Sequence, residues 1–124
     1  MAIGSAETAS RSPDNPARRN RQPSLPSALN AVQLSGRLLT REALRYTPAG
    51  IPVLSLTFVH ESEQVEARLP RRVGLEIDAV AVGDVALKLS QVELGGALRL
   101  QGFLANRSKR SRYAVLHVNE FDIE

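Results

Sequence analysis

A chain of 124 residues, 43% of them apolar and 23% charged, has room for one small core, which excludes both a second full domain and wholesale disorder. No apolar run approaches the roughly 20 residues of a membrane helix, the opening residues lack the apolar stretch of a secretory signal, and the lack of cysteine excludes disulfides, thiolate catalysis, cysteine-ligated zinc and iron–sulfur clusters. No membrane association and a cytoplasmic location are the expectations, and a formal charge of +3 points to a polyanionic partner only if its positive groups are gathered in one place.

Residues 1–28 are expected to be a disordered, basic, Ser/Pro-rich arm. Up to residue 27 the segment holds Pro13, Pro16, Pro23 and Pro26, and sets Arg11, Arg18, Arg19 and Arg21 against only Glu7 and Asp14. With almost no large apolar side chain, it cannot bury enough surface to offset its ordering entropy. Its arginines could add loose phosphate contacts; a solubilising extension or an upstream start explains the segment equally well. Residues 29–124 are the expected folded domain.

From Leu29 the pattern changes to a period of two. Val32, Leu34, Gly36 and Leu38 alternate with Gln33, Ser35 and Arg37, predicting a half-buried first strand over 29–45. Gly36 inside it suits a sharp bend or a close backbone approach, as at a barrel corner. Thr47-Pro48-Ala49-Gly50 supplies a turn, and Leu54, Leu56, Phe58 and His60 predict a second strand over 51–61, antiparallel to the first. The polar stretch Glu61–Pro70 is expected to be a loop before a third strand carrying Val73, Leu75, Ile77 and Ala79. Residues 80–94 fit either a short extra strand or an irregular crossover, since Val85, Leu87 and Leu89 alternate between turn signals at Gly83-Asp84 and Gly95-Gly96. Leu98, Leu100, Gly102 and Leu104 mark a fourth strand with Gly102 at a second bend, and Tyr113 to about Ile123 a fifth. Five strands with two glycine kinks predict an all-β, closed or nearly closed antiparallel barrel, the five-stranded OB fold, rather than a sandwich of about seven strands.

Catalytic chemistry finds little support in this sequence. Both histidines, His60 and His117, fall in strand patterns away from any nucleophile, and no metalloprotease helix, phosphate-binding loop or dinucleotide fingerprint is present. No enzyme activity and no cofactor or metal are expected. Binding chemistry is better placed. Arg107, Lys109, Arg110 and Arg112 put four cations into six residues without an acid, and they fall in the loop between strands four and five. Arg45 and Tyr46 fall at the loop between strands one and two, the other flank of the groove in which OB barrels take single-stranded nucleic acid. Arg68, Arg71 and Arg72 form a second basic group. The candidate strand-binding set is therefore Arg45, Tyr46, His60, Arg68, Arg71, Arg72, Arg107, Lys109, Arg110, Arg112 and Tyr113. Tyr46 and Tyr113 are its stacking candidates; Phe58 is expected in the core, and Phe103 and Phe121 are open to the same reading. With so few aromatic platforms, phosphate contacts must carry most of the affinity.

These residues also resemble a family, primosomal replication protein N of the bacterial replication-restart primosome. The matching pieces are L-S-G at Leu34–Gly36, R-Y-T-P-A-G-I-P-V-L at Arg45–Leu54, H-E-S at His60–Ser62, L-E-I at Leu75–Ile77, and Q-G-F-L-A followed by the basic loop at Gln101–Arg112. Together they span essentially everything after the arm. The resemblance implies a homodimer of OB folds that binds single-stranded DNA, contacts the restart helicase at a stalled fork and meets a primosomal loading partner. It places the family's DNA-contacting residue of the first hairpin on Arg45, and its lysine-rich loop on Arg107, Lys109, Arg110 and Arg112. Two positions depart from the enteric pattern: Val73 and Gly74 stand where a stacking aromatic is found, and Glu61 where a basic residue follows the strand-two histidine. Both departures imply weaker DNA contact and more reliance on protein partners.

Overall fold

The computed structural model describes residues 28–124, so the arm lies outside the described residues except for Ala28. Six strands and one short helix follow in the order β1 (Val32–Arg41), β2 (Arg45–Tyr46), β3 (Pro52–Glu66), β4 (Leu69–Val82), α1 (Asp84–Leu89), β5 (Ala97–Asn106) and β6 (Ala114–Ile123). β1 pairs with β5 along its first half and with β3 along its second, and the sheet runs on through β6 and β4 back to β3. This closes a five-stranded barrel, with the two residues of β2 appended to β3. The strand that changes partners is the one carrying Gly36. A Cβ at that position would run into the Val59 carbonyl oxygen and stand 2.9 Å from a Phe58 ring carbon, so only glycine lets β1 and β3 approach there.

The alternation that marks the strands points into the barrel. Leu38, Leu54, Leu56, Phe58, Ala79, Ala81, Leu98, Leu100, Leu116 and Val118 form its buried core, and no polar side chain among the described residues is fully buried with them. Each large apolar member contributes about 1.5–3 kcal/mol relative to exposure. Phe58 is core as expected; Phe121 packs half-buried against the core, and Phe103 lies on the outside.

Four local expectations are corrected. The first strand ends at Arg41 rather than 45, after a register shift between Leu38 and Thr40. Residues 61–70 are not a loop: β3 and β4 pair without interruption from Val53↔Val82 to Glu66↔Leu69, closed by Ala67 and Arg68 at positive φ, so the hairpin runs out beyond the barrel. Residues 80–94 are neither strand nor plain crossover, because α1 buries Ala86 and Leu89, three apart on one helical face, against the core. The Arg41 guanidinium holds the end of this helix, donating to the carbonyls of Leu89, at 3.4 Å, and Val92. Finally, the barrel is not wholly antiparallel: β4 and β6 run parallel through Ala79↔Leu116 and Ala81↔Val118.

Candidate nucleic-acid interface

Outward-facing residues of β3, β4 and β6 form the floor of a trough of about 320 Å³. Ser55 and Thr57 of β3, Asp78 and Val80 of β4, and Val115 and His117 of β6 line it, with Thr40, Arg41, Glu42 and Arg45 on one flank and Arg107 on the other. Arg45 reaches it because β2 pairs with the start of β3, and its guanidinium donates to Ser55 Oγ at 3.1 Å. Turn geometry fixes that flank: Gly50, at φ +85°, donates its N–H to the Thr47 carbonyl at 2.8 Å.

The opposite flank is the β5–β6 loop. The Arg107 N–H donates to the Tyr113 carbonyl at 2.8 Å and pinches the base of the loop, leaving 108–112 to project. The Arg107 side chain pairs with Asp78 on the floor and lies 5.0 Å from the centre of the Tyr113 ring, a cation–π contact. Lys109, Arg110 and Arg112 are exposed on the projecting part, and Tyr46 and Tyr113 are also exposed.

The remaining sequence candidates lie elsewhere. Arg68 sits in the turn of the β3–β4 hairpin; Arg71 pairs with Glu66 at 2.8 Å and Arg72 approaches Glu61 at 3.9 Å. Arg72 is six residues along β4 from Asp78, roughly 20 Å at about 3.3 Å per residue, so this group does not join the trough. Glu61 is likewise on the hairpin and outside the trough lining. His60 has the parity of the core residues. Its Nδ1 lies 2.7 Å from the Ser35 carbonyl, which can only accept, so Nδ1 carries a proton; Nε2 is 2.8 Å from Ser62 Oγ. His60 therefore ties β3 to β1 rather than facing the floor.

Sequence reasoning missed two features of this surface. Asp78 places a carboxylate on the floor against Arg107, and the rings of Phe103 and His117 stack across β5 and β6 with centroids 4.9 Å apart and planes 8° from parallel. Phe103 alternates with the inward Leu100, Gly102 and Leu104, and that parity was the available signal for an outward ring.

Residues 30–120 match the model of a family described as "Another single-strand binding protein family". The replication restart protein PriB of Bordetella pertussis is 51% identical over 92 residues, covering 74% of this chain and 86% of the relative, and that of Nitrosomonas europaea is 34% identical over 73% and 84%. The chain belongs to the PriB family of replication restart proteins. A solved PriB structure from Ralstonia solanacearum superimposes with a TM-score of 0.71 at 32% identity, over 78% of this chain and 99% of that one. The single-stranded DNA binding protein of Thermus aquaticus superimposes at 0.62 with 24% identity, over 77% of this chain and 50% of that one, a likeness of fold. No helix among the described residues is long and apolar enough to cross a membrane.

Proposed function

We propose that the protein is a single-stranded DNA-binding accessory protein of replication restart that acts without catalysis, binds the strand in the trough, and stimulates the restart helicase. The observation that supports this reading is the placement of Arg45 and Arg107 on opposite flanks of one trough, with Lys109, Arg110 and Arg112 projecting beside it. The family membership supports the setting. A homodimer, a primosomal loading partner and a cytoplasmic location belong to the same proposal, on the strength of the family resemblance.

Fluorescence anisotropy of a labelled single strand and the matching duplex tests it. If Arg45, Arg107, Lys109, Arg110 and Arg112 each meet a phosphate, the logarithm of single-strand affinity should fall with that of salt at a slope of about −3.5, roughly a hundredfold loss between about 50 and 200 mM. The duplex should bind more weakly at both. Equal affinity for the two forms, or binding indifferent to salt, sinks the reading.

Asp78 sets a second expectation. A phosphate at Arg107 must displace this carboxylate, which as a half-exposed ion pair contributes little to stability. Asp78→Asn should therefore tighten single-strand binding by about fivefold near 0.1 M salt, the value of one released phosphate contact. An unchanged or weaker affinity would mean that Arg107 does not meet the strand.

The carboxylates of Glu42 and Asp78 in the trough also favour a second reading, in which the projecting loop docks on the helicase and DNA binding is incidental.

A further inference from the structure

Four strands present one residue each to a transverse row on the outside of the barrel. Ser55 of β3 lies opposite Val80 of β4, Val80 beside His117 of β6, and His117 opposite Phe103 of β5. Three inter-strand steps of about 4.8 Å make the row roughly 14 Å long. It begins under Arg45, which donates to Ser55 Oγ, and ends at the stacked Phe103 and His117 rings. His117 belongs to the trough lining; Phe103 continues the row past it and keeps 36% of its surface exposed.

The register that makes this pair depends on one irregularity. Gln101 opposes Glu120 but Gly102 opposes Val118, so Asn119 is skipped and Phe103 meets His117. In an unbroken ladder Phe103 would face Val118, whose side chain is in the core. The bulge thus gathers two flat rings on the outer surface at the end of a row that starts with a guanidinium. Of the other aromatic rings by the trough, Tyr113 already has a face covered by Arg107.

Resting on the single-strand reading above, we propose that the Phe103–His117 pair is a base-stacking platform: a nucleobase lies on its exposed ring surface while the adjoining phosphates run toward Arg107 and Arg45. Every base has a π face, so such a platform favours unpaired strands over duplex without selecting a sequence.

The test compares a labelled thymidine oligonucleotide with a strand of the same length built from abasic residues. Phe103→Leu keeps an apolar side chain and removes the ring, so it should weaken binding of the base-bearing strand by about five- to a hundredfold and leave the abasic strand unchanged within about twofold. Phe103→Trp should restore binding. As the chain has no tryptophan, the introduced indole reports directly: its fluorescence should be quenched by the thymidine strand and not by the abasic one. Phe103→Leu binding both strands like the parent protein, or losing both equally, overturns the platform; so does an indole that is blind to the thymidine strand. These outcomes leave the proposed function standing if the parent protein still binds, whereas failure of the parent to bind either strand overturns both.

Discussion

Gly102→Ala is expected to cost about 3 kcal/mol of folding stability, a large share of the 5–15 kcal/mol typical of a domain. A Cβ at this position would collide with the His117 carbonyl oxygen, stand 2.8 Å from the carbonyl carbon and reach within 3.1 Å of the Val118 Cα. These are backbone atoms of the neighbouring strand, so no rotamer change relieves the overlap and β5 and β6 must part at the bulge. Gly74→Ala is the matched control. Its Cβ would meet nothing closer than the His60 carbonyl oxygen at 3.8 Å, an ordinary contact, and its φ is not positive, so its stability should stay within about 0.5 kcal/mol of the parent. Urea unfolding of the two variants decides the matter, and equal midpoints would mean that the two strands are not pressed together at Gly102. The same separation would break the Phe103–His117 stack, so Gly102→Ala protein that still folds should also lose the contribution of that pair.

Gly102 and Gly36 were legible in the sequence because each interrupts an otherwise regular run of inward apolar residues. The barrel was legible for the same reason, since period-two alternation survives wherever one face of a strand is buried. The outer half of the β3–β4 hairpin carries no such mark. Beyond about His60 neither face is covered, so Glu61, Glu63, Gln64 and Glu66 are as acceptable as apolar residues, and a strand there looks like a polar loop. Its turn is also concealed: Ala67 and Arg68 adopt the positive φ values that Asn-Gly would have announced. Helix α1 was hidden by the opposite accident, because Val85, Leu87 and Leu89 alternate like a strand while the helix in fact buries Ala86 and Leu89.

The site divides along a similar line. Arg45 and the 107–112 run were found because the flanking loops of a barrel follow from strand order alone. The β4–β6 pairing is parallel and joins segments more than thirty residues apart, so no local pattern announces which β4 residue faces which β6 residue. Asp78 beneath Arg107 and Val80 beside His117 both depend on that register. Conversely, the hairpin arginines looked like part of a basic surface only while the acids opposite them were assigned to a loop; paired strands set Arg72 against Glu63 and Arg71 against Gln64, and the patch is largely neutralised.

Reversing two charges in the projecting loop should have the largest effect on binding. Lys109→Glu combined with Arg110→Glu removes two phosphate contacts, which lowers the salt slope by about 1.4 and the single-strand affinity near 0.1 M by about 25-fold before any repulsion by the new carboxylates is counted. Both side chains are exposed and make no ion pair among the described residues, so the melting temperature should scarcely move. The double variant also separates the two readings of the trough, because stimulation of helicase unwinding can be measured on the same protein. If the strand is held by the loop, stimulation falls with DNA affinity and recovers when DNA concentration is raised or salt is lowered. If the loop instead meets an acidic surface on the helicase, stimulation is lost while single-strand affinity stays near that of the parent, and more DNA does not restore it. Charge reversal at Arg71 and Arg72 is the internal comparison: on the hairpin, already facing acids and roughly 20 Å from Asp78, it should leave the strand affinity far less changed than the loop variant does.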